Sequence, residues 1–184
     1  MQSSSSNKVE IREMRREEIE LAWTIDRSEL IERVFYHRED GLLLKDERHD
    51  VKGWHPKTIE HHQPWLLDCF DRGGAFFGAF EGDRLVGVSV LENRFIGRER
   101  DQLQLKFLHV GRDQRRTGLG RTLFDLAAAR AKELGARRLY VSATPSENTV
   151  GLYFHLGCRV TDEVDPELFE EEPEDIHFEY EIPQ

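Results

Sequence analysis

Cysteine is scarce: the 184 residues contain two, Cys69 and Cys158, far apart and outside any CxxC or Cys/His cluster. Neither a disulfide framework nor a structural zinc site is encoded, no metal is expected, and a reducing, cytoplasmic setting fits best. Long apolar runs are missing too. The stretch GGAFFGAF at 73–80 falls far short of the ~20 residues that span a bilayer, and MQSSSSNK at the start offers no apolar segment for export. No membrane association is expected. Basic charge is thin as well: Lys and Arg number 26 against 36 Asp and Glu, for a net charge of -10. Residues 160–184 hold eleven acids and no Lys or Arg, which leaves +1 on everything before them. A nucleic-acid groove needs clustered cations to replace condensed counterions, so nucleic acid is not an expected partner.

What is present suits one globular core. Hydrophobic residues make up 38% with eleven Phe, enough for a single domain over 9–184, while the Ser-rich residues 1–8 have nothing to bury and read as a disordered lead. VEIREM at 9–14 alternates like a strand, and 16–25 has helical spacing through Ile19, Ala22 and Trp23. Residues 27–56 show no period, and 57–70 reads as a helix disturbed by Pro64. From 75 the pattern sharpens: AFFGAF, the turn EGD at 81–83 and RLVGVSVLENRFI form a hairpin, and LQLKFLHV at 103–110 is a further strand. A helix with apolar positions 119, 123, 126, 127, 131 and 134 stops at Gly135, and RRLYVSA at 137–143 follows as a strand. Strand, helix and strand in this order make the two strands parallel neighbours. Thr144 reads as an N-cap, with Pro145 at the first helical position and Glu147 closing a capping box for a helix over 145–156 that ends at Gly157. Residues 158–160 start a strand, 175–182 alternate as the last one, and the acidic stretch between them reads as a loop.

The chemistry concentrates in VGRDQRRTGLGRT at 110–122, where a strand ends, an Arg-rich turn follows and a helix begins between Gly118 and Gly120. Glycines let a backbone approach an anion closely, and the free N–H groups of a helix start favour negative charge, so a pyrophosphate suits the segment. The nucleotide P-loop and the GxGxxG fingerprint do not match, since Leu123 stands where the last glycine would be. The bland alternative is a solvated turn entering a helix.

This segment resembles the phosphate motif of the GNAT superfamily of acyl-CoA-dependent N-acyltransferases: Gln or Arg, two variable residues, Gly, one variable residue, then Gly or Ala, here Arg115, Gly118 and Gly120 behind FLHV. A second family signature looks like Asn148, then Leu152, Tyr153 and Gly157 in ENTVGLYFHLGC. The close resemblance covers 103–158. It implies an α/β (α+β) fold with a central mixed, mostly antiparallel sheet flanked by helices and splayed between the two parallel strands. Acetyl-CoA would be the cosubstrate, its pantetheine arm on the backbone of Leu108 and Val110, its pyrophosphate on the N–H groups of Arg115, Arg116, Thr117, Gly118, Leu119 and Gly120, and Asn148 contributing its amide. Tyr153 would protonate the departing thiolate, a role open to a phenol with its ordinary pKa of about 10; the alternative is a core tyrosine. Many relatives carry a Glu on the strand before the phosphate loop as general base, but Gln104 stands there. Glu92, Glu99, Asp101, His109 or a water chain are the alternatives.

The reaction so implied is acetyl transfer to a primary amine of a small acceptor. Trp54, His55 and Trp65 from the early region, together with the acids of 160–180, would attract a cationic one. The competing reading is a CoA-binding sensor without turnover. A small-molecule amine is the expected partner, with a homodimer compatible with the resemblance.

Overall fold

The computed structural model describes residues 8–183, so the expected lead lies, but for Lys8, outside the described residues. Nine strands and four α-helices run in the order β1 (Glu10–Glu13), β2 (Glu29–Arg38), β3 (Gly41–Val51), α1 (Pro56–Asp71), β4 (Ala75–Glu81), β5 (Arg84–Ile96), β6 (Gln102–Val110), α2 (Leu119–Glu133), β7 (Arg138–Ala143), α3 (Glu147–Leu156), β8 (Arg159–Val160), α4 (Pro166–Glu171) and β9 (Ile176–Glu181). Seven strands form one sheet in the order β1-β4-β5-β6-β7-β9-β8, and β2 and β3 form a separate ribbon. Every pair in the large sheet is antiparallel except β6 and β7. The mixed, mostly antiparallel sheet and the parallel pair across α2 therefore agree with the sequence reading. No helix among the described residues is long and apolar enough to cross a membrane.

Helices cover both faces. On one, α2 lays Leu119, Leu123, Phe124, Ala127, Ala128 and Ala131 against the strands. Leu134, expected in that stripe, is exposed because it caps the helix end. Phe124, Leu139 and Phe178 have no exposed surface in this core, and burying each such side chain contributes about 1.5–3 kcal/mol relative to leaving it in water. The other face is covered by α1 and by residues 16–24, which form a 3-10 helix where an α-helix was expected. Ile19, Ala22 and Ile25 are all buried, a spacing of three that a three-residue turn aligns better than a 3.6-residue one. Helix α1 runs unbroken through Pro64; that proline and Glu60, whose carbonyl it deprives of a donor, both lie on the exposed side, where water can serve instead.

Three local readings are corrected. Residues 27–56, which show no period, contain the β2–β3 ribbon, closed by a two-residue turn that ends at Gly41 with φ 123°. The α3 helix begins two residues later than expected: Ser146, not Thr144, is its N-cap and accepts from the Thr149 N–H at 3.2 Å. Thr144 and Pro145 stay extended because the Pro145 carbonyl accepts from Phe35 N–H at 2.7 Å and Ser146 bridges Val34, so tertiary pairing overrides the local capping box. Lastly, the acidic loop contains α4, started by Asp165, whose Oδ1 accepts from the N–H groups of Glu167 and Leu168.

Candidate active site

The parallel pairing of β6 with β7 covers only Gln102–Gln104 against Arg138–Tyr140. Beyond it β6 leans on β5 alone and β7 on β9, so the sheet opens into a wedge at the carboxyl ends of both strands. Register shows which backbone groups face that wedge. Gly111 N–H donates to Val86 C=O at 2.8 Å, and bonded pairs alternate along an antiparallel ladder. His109 therefore bonds towards β5, while Leu108 and Val110, paired with Ser89 and Gly87, turn their N–H and C=O groups into the wedge. The same alternation on β7, set by Ile182 N–H on Arg137 C=O, turns the backbone of Tyr140 and Ser142 towards β6.

The Arg-rich turn closes the open end of this edge. Thr117 Oγ1 donates to Gln114 C=O at 2.7 Å, Arg116 has φ 65° and Gly118 has φ 90°, and the first helical bond runs from Thr122 N–H to Gly118 C=O at 3.1 Å. The N–H groups from Arg116 to Arg121 thus find no acceptor among the described residues. A Cβ built on Gly118 would meet nothing within 4 Å, and one on Gly120 would lie 3.7 Å from Val110 Cγ2, so the cradle adjoins the free strand edge. Unclaimed donors, a helix start and open space beside a glycine fit a diphosphate. Of the neighbouring charges, Asp113 is paired with Arg84 at 2.8 Å, which leaves Arg115 and Arg116 to set the local field.

Tyr153 stands on α3 with 6% of its surface exposed and its ring 5.6 Å from that of Phe178. Its hydroxyl has no hydrogen-bond partner among the described residues. Burial, then the neighbouring Cys158 and Asp175, push the phenol well above its ordinary pKa, so it keeps its proton at neutral pH. Asn148 is exposed and donates from Nδ2 to Glu29 Oε1 at 2.7 Å; with Arg33 on Glu147 at 2.8 Å it ties the β2–β3 ribbon to the start of α3. Cys158 is buried, and burial raises its thiol to about 12, which suits an inert hydrophobe.

The alternative bases are mostly engaged. Glu92 is buried and held by Arg72 at 2.8 and 3.0 Å with Lys106 at 3.5 Å; burial alone would raise its pKa, but the Arg72 hydrogen bonds and the Lys106 charge outweigh it and leave the carboxyl below its ordinary value. Asp101 is bound to Arg138 at 2.8 Å, and Glu99 is exposed in a turn. His109 sits against Trp54 and Phe107, with ring centroids 4.7 and 4.3 Å away, and burial, then the Arg27 charge, draw it down to about 3. It is a neutral ring in an aromatic wall and a weaker proton acceptor than an ordinary histidine. Trp54 stacks on Phe107, and His55 caps α1 by accepting from Lys57 N–H.

On the face opposite α2, a hollow is lined by His62 and Trp65 of α1, Gln104, Lys106 and Phe107 of β6, and Glu171 and Glu172 at the end of α4. The register jumps from Val90↔Phe107 to Leu91↔Leu105, so Lys106 is a bulged residue. That bulge puts Gln104, Lys106 and Phe107 on the same face, an arrangement strict strand alternation hides. Trp65 and the acidic segment, expected to share the acceptor side, do meet here; Trp54 and His55 do not line the hollow.

The Acetyltransferase (GNAT) family model matches residues 40–157. No curated protein matches the chain. Among solved structures, a nourseothricin acetyltransferase superposes with a TM-score of 0.69 at 20% identity over 95% of this chain and 99% of that one. A proposed streptothricin acetyltransferase from Bacillus anthracis str. Ames, in complex with acetyl coenzyme A, gives 0.64 at 14% identity, covering 97% and 100%. The paia N-acetyltransferase from Thermoplasma acidophilum, in complex with coenzyme A, gives 0.60 at 19% identity, covering 95% and 99%.

Proposed function

Because the chain belongs to the GNAT acetyltransferase family, we propose that it moves the acetyl group of acetyl-CoA onto a primary amine of a small cationic acceptor by direct attack. One observation carries the cosubstrate reading: the backbone edge of Leu108 and Val110, free of β7, runs straight into the unclaimed N–H groups of the α2 start. Acetyl-CoA supplies an activated carbonyl and a thiolate leaving group. Leu108 and Val110 hold its pantetheine arm by strand-like pairing, and the N–H groups of Arg116, Thr117, Gly118, Leu119 and Gly120 hold its pyrophosphate; the Arg115 N–H, expected among them, is spent on Arg112 C=O at 3.4 Å, so Arg115 contributes its guanidinium charge, and Asn148 reaches the cosubstrate by exchanging its bond to Glu29. Tyr153 gives its proton to the departing sulfur, and its unpartnered hydroxyl is free for that task.

The acceptor side is the hollow between α1, β6 and α4, where carboxylates stand beside Trp65. Negative charge next to an aromatic face attracts a cation, and two of the superposed structures carry the names of a nourseothricin and a streptothricin acetyltransferase. Release of free CoA thiol with nourseothricin, spermidine and a lysine-rich peptide tests the reading. For a cationic acceptor, kcat/KM should fall as ionic strength rises from about 0.02 to 0.3 M, over which the screening length shortens severalfold. Turnover restricted to neutral or acidic amines, or indifference to salt, would refute the cationic assignment.

A further inference from the structure

An acceptor ammonium must lose a proton before its nitrogen can attack; Glu92 and Asp101 are held in ion pairs, and His109 packs against Trp54 and Phe107. One hydroxyl at the wedge is differently placed. Ser142 Oγ lies 3.2 Å from Glu172 Oε2 and 3.1 Å from Asp175 Oδ2, and its single hydrogen serves one of them at a time. Both carboxylates thus stand within hydrogen-bond reach of one hydroxyl, and the Asp175 N–H donates to the Glu172 C=O at 3.1 Å, which fixes the turn that brings them together. Neither has an ion-pair partner among the described residues, in contrast to Glu92 and Asp101. Both are half-buried, so the acceptor can reach them. Glu172 lines the hollow with Gln104 and Lys106, Ser142 turns its backbone into the wedge, and Asp175 is close enough to Tyr153 to act on it electrostatically.

We propose that Glu172 and Asp175, which meet at the Ser142 hydroxyl, form the proton-accepting pair of the active site, with Asp175 as the base and Glu172 as the group that tunes it. The assignment rests on the acetyl-transfer reading above. Two like charges this close resist joint ionisation, and burial adds to the effect. Asp175 is pushed up to about 8 by burial and then by Glu172, with Glu174 adding to the rise and Ser142 opposing it. The other titratable groups around the pair are Tyr153 on α3, His177 on β9, and His62 on α1 with Lys106 on β6, both of which face the Glu171–Glu172 turn; Tyr36 and His37 on β2 face Glu174 and His177. In the reaction the ammonium gives one proton to Asp175. The N–C bond forms as the C–S bond breaks, sulfur takes the Tyr153 proton, and the second nitrogen proton returns to Tyr153. One proton in net then leaves through Asp175 to solvent.

The base form exists above the pair's upper pKa, so kcat at saturating acceptor should rise with pH through roughly 8 and level off, with one midpoint for nourseothricin and spermidine although their amines differ. Asp175→Asn should lower kcat by about 10²-fold or more and erase the rise. Glu172→Gln removes the like charge and should shift the midpoint to lower pH. Carboxyl carbon NMR on labelled protein without acceptor should show one group titrating near neutrality or above in the wild type, absent in Asp175→Asn and moved down in Glu172→Gln. Acetyl-CoA affinity should change less than twofold in both variants. Wild-type kcat in Asp175→Asn, an unmoved midpoint in Glu172→Gln, or two ordinary carboxylate titrations would overturn the pair. Loss of acetyl-CoA binding by the wild type would instead refute the wedge. Binding without turnover of either probe would count against the acceptor class, and the carboxyl titrations would then decide the pair.

Discussion

Replacing Gly118 by alanine separates what the proposed phosphate cradle costs in folding from what it contributes to binding. Gly118 holds φ 90°, a left-handed conformation that an L side chain enters at about 1–2 kcal/mol. For a domain of this size that corresponds to a melting temperature lower by roughly 2–8 °C. No clash adds to the strain, because the new Cβ meets nothing within 4 Å. In the complex, however, the methyl group occupies the space through which the diphosphate oxygens approach the N–H groups. Losing one or two charge-assisted hydrogen bonds at about 1.5–3 kcal/mol each weakens acetyl-CoA binding by about 10-fold to 10²-fold or more. Gly135 is the matched control: it has φ 95° and an equally open Cβ position, but lies at the far end of α2. Gly135→Ala should lose similar stability and keep acetyl-CoA affinity within twofold. Thermal unfolding measures the first quantity and titration calorimetry the second. Equal affinities in the two variants would refute the assignment of the Arg116–Arg121 N–H groups to the pyrophosphate.

Tyr153→Phe should reduce kcat by about 10²-fold with acetyl-CoA affinity unchanged, and because the hydroxyl has no partner the melting temperature should hold; a wild-type kcat would leave Tyr153 a packing residue. Glu92→Gln should cost about 1–3 kcal/mol at pH 7 by leaving Arg72 undercompensated, as urea unfolding would show. Since the folded pKa of Glu92 lies below its ordinary 4.5, the stability it contributes is complete above that value and is lost as pH falls through the folded one. The two proteins should therefore converge in acid, and a constant difference from pH 7 to 3 would refute the ion pair's role.

The sheet was legible wherever one face of a segment is buried: 75–96, 103–110 and 137–143 have apolar runs closed by turn residues, and their strands fall within a few residues of expectation. The ribbon at 29–51 was not, because most of its side chains face solvent and its inward contacts, Val34, Phe35 and Leu42, are too few to impose a period. Asp40-Gly41 between two apolar stretches was the available signal. Of the candidate site, the left-handed turn at Gly118 was legible because that backbone geometry favours glycine. The Ser142–Glu172–Asp175 cluster was not, since it joins a strand to a segment thirty residues on, through a helix that composition disguised as acidic loop.

Strand β9 enters the sheet between β7 and β8, pairing Arg138 with Glu181 and Val160 with Phe178. Residues 176–181 leave the ribosome after everything they pair with, so during synthesis β7 waits with one edge open and Phe178 is missing from the core. A nascent chain halted before β9 clears the exit tunnel would carry a finished β1–β4–β5–β6 half and an unzipped second half. The half that already looks folded leads into the proposed phosphate cradle, whereas Ser142 gains its carboxylate neighbours only when the last strands dock. The order of synthesis thus brings out the turn before α2 ahead of the carboxylates that meet Ser142.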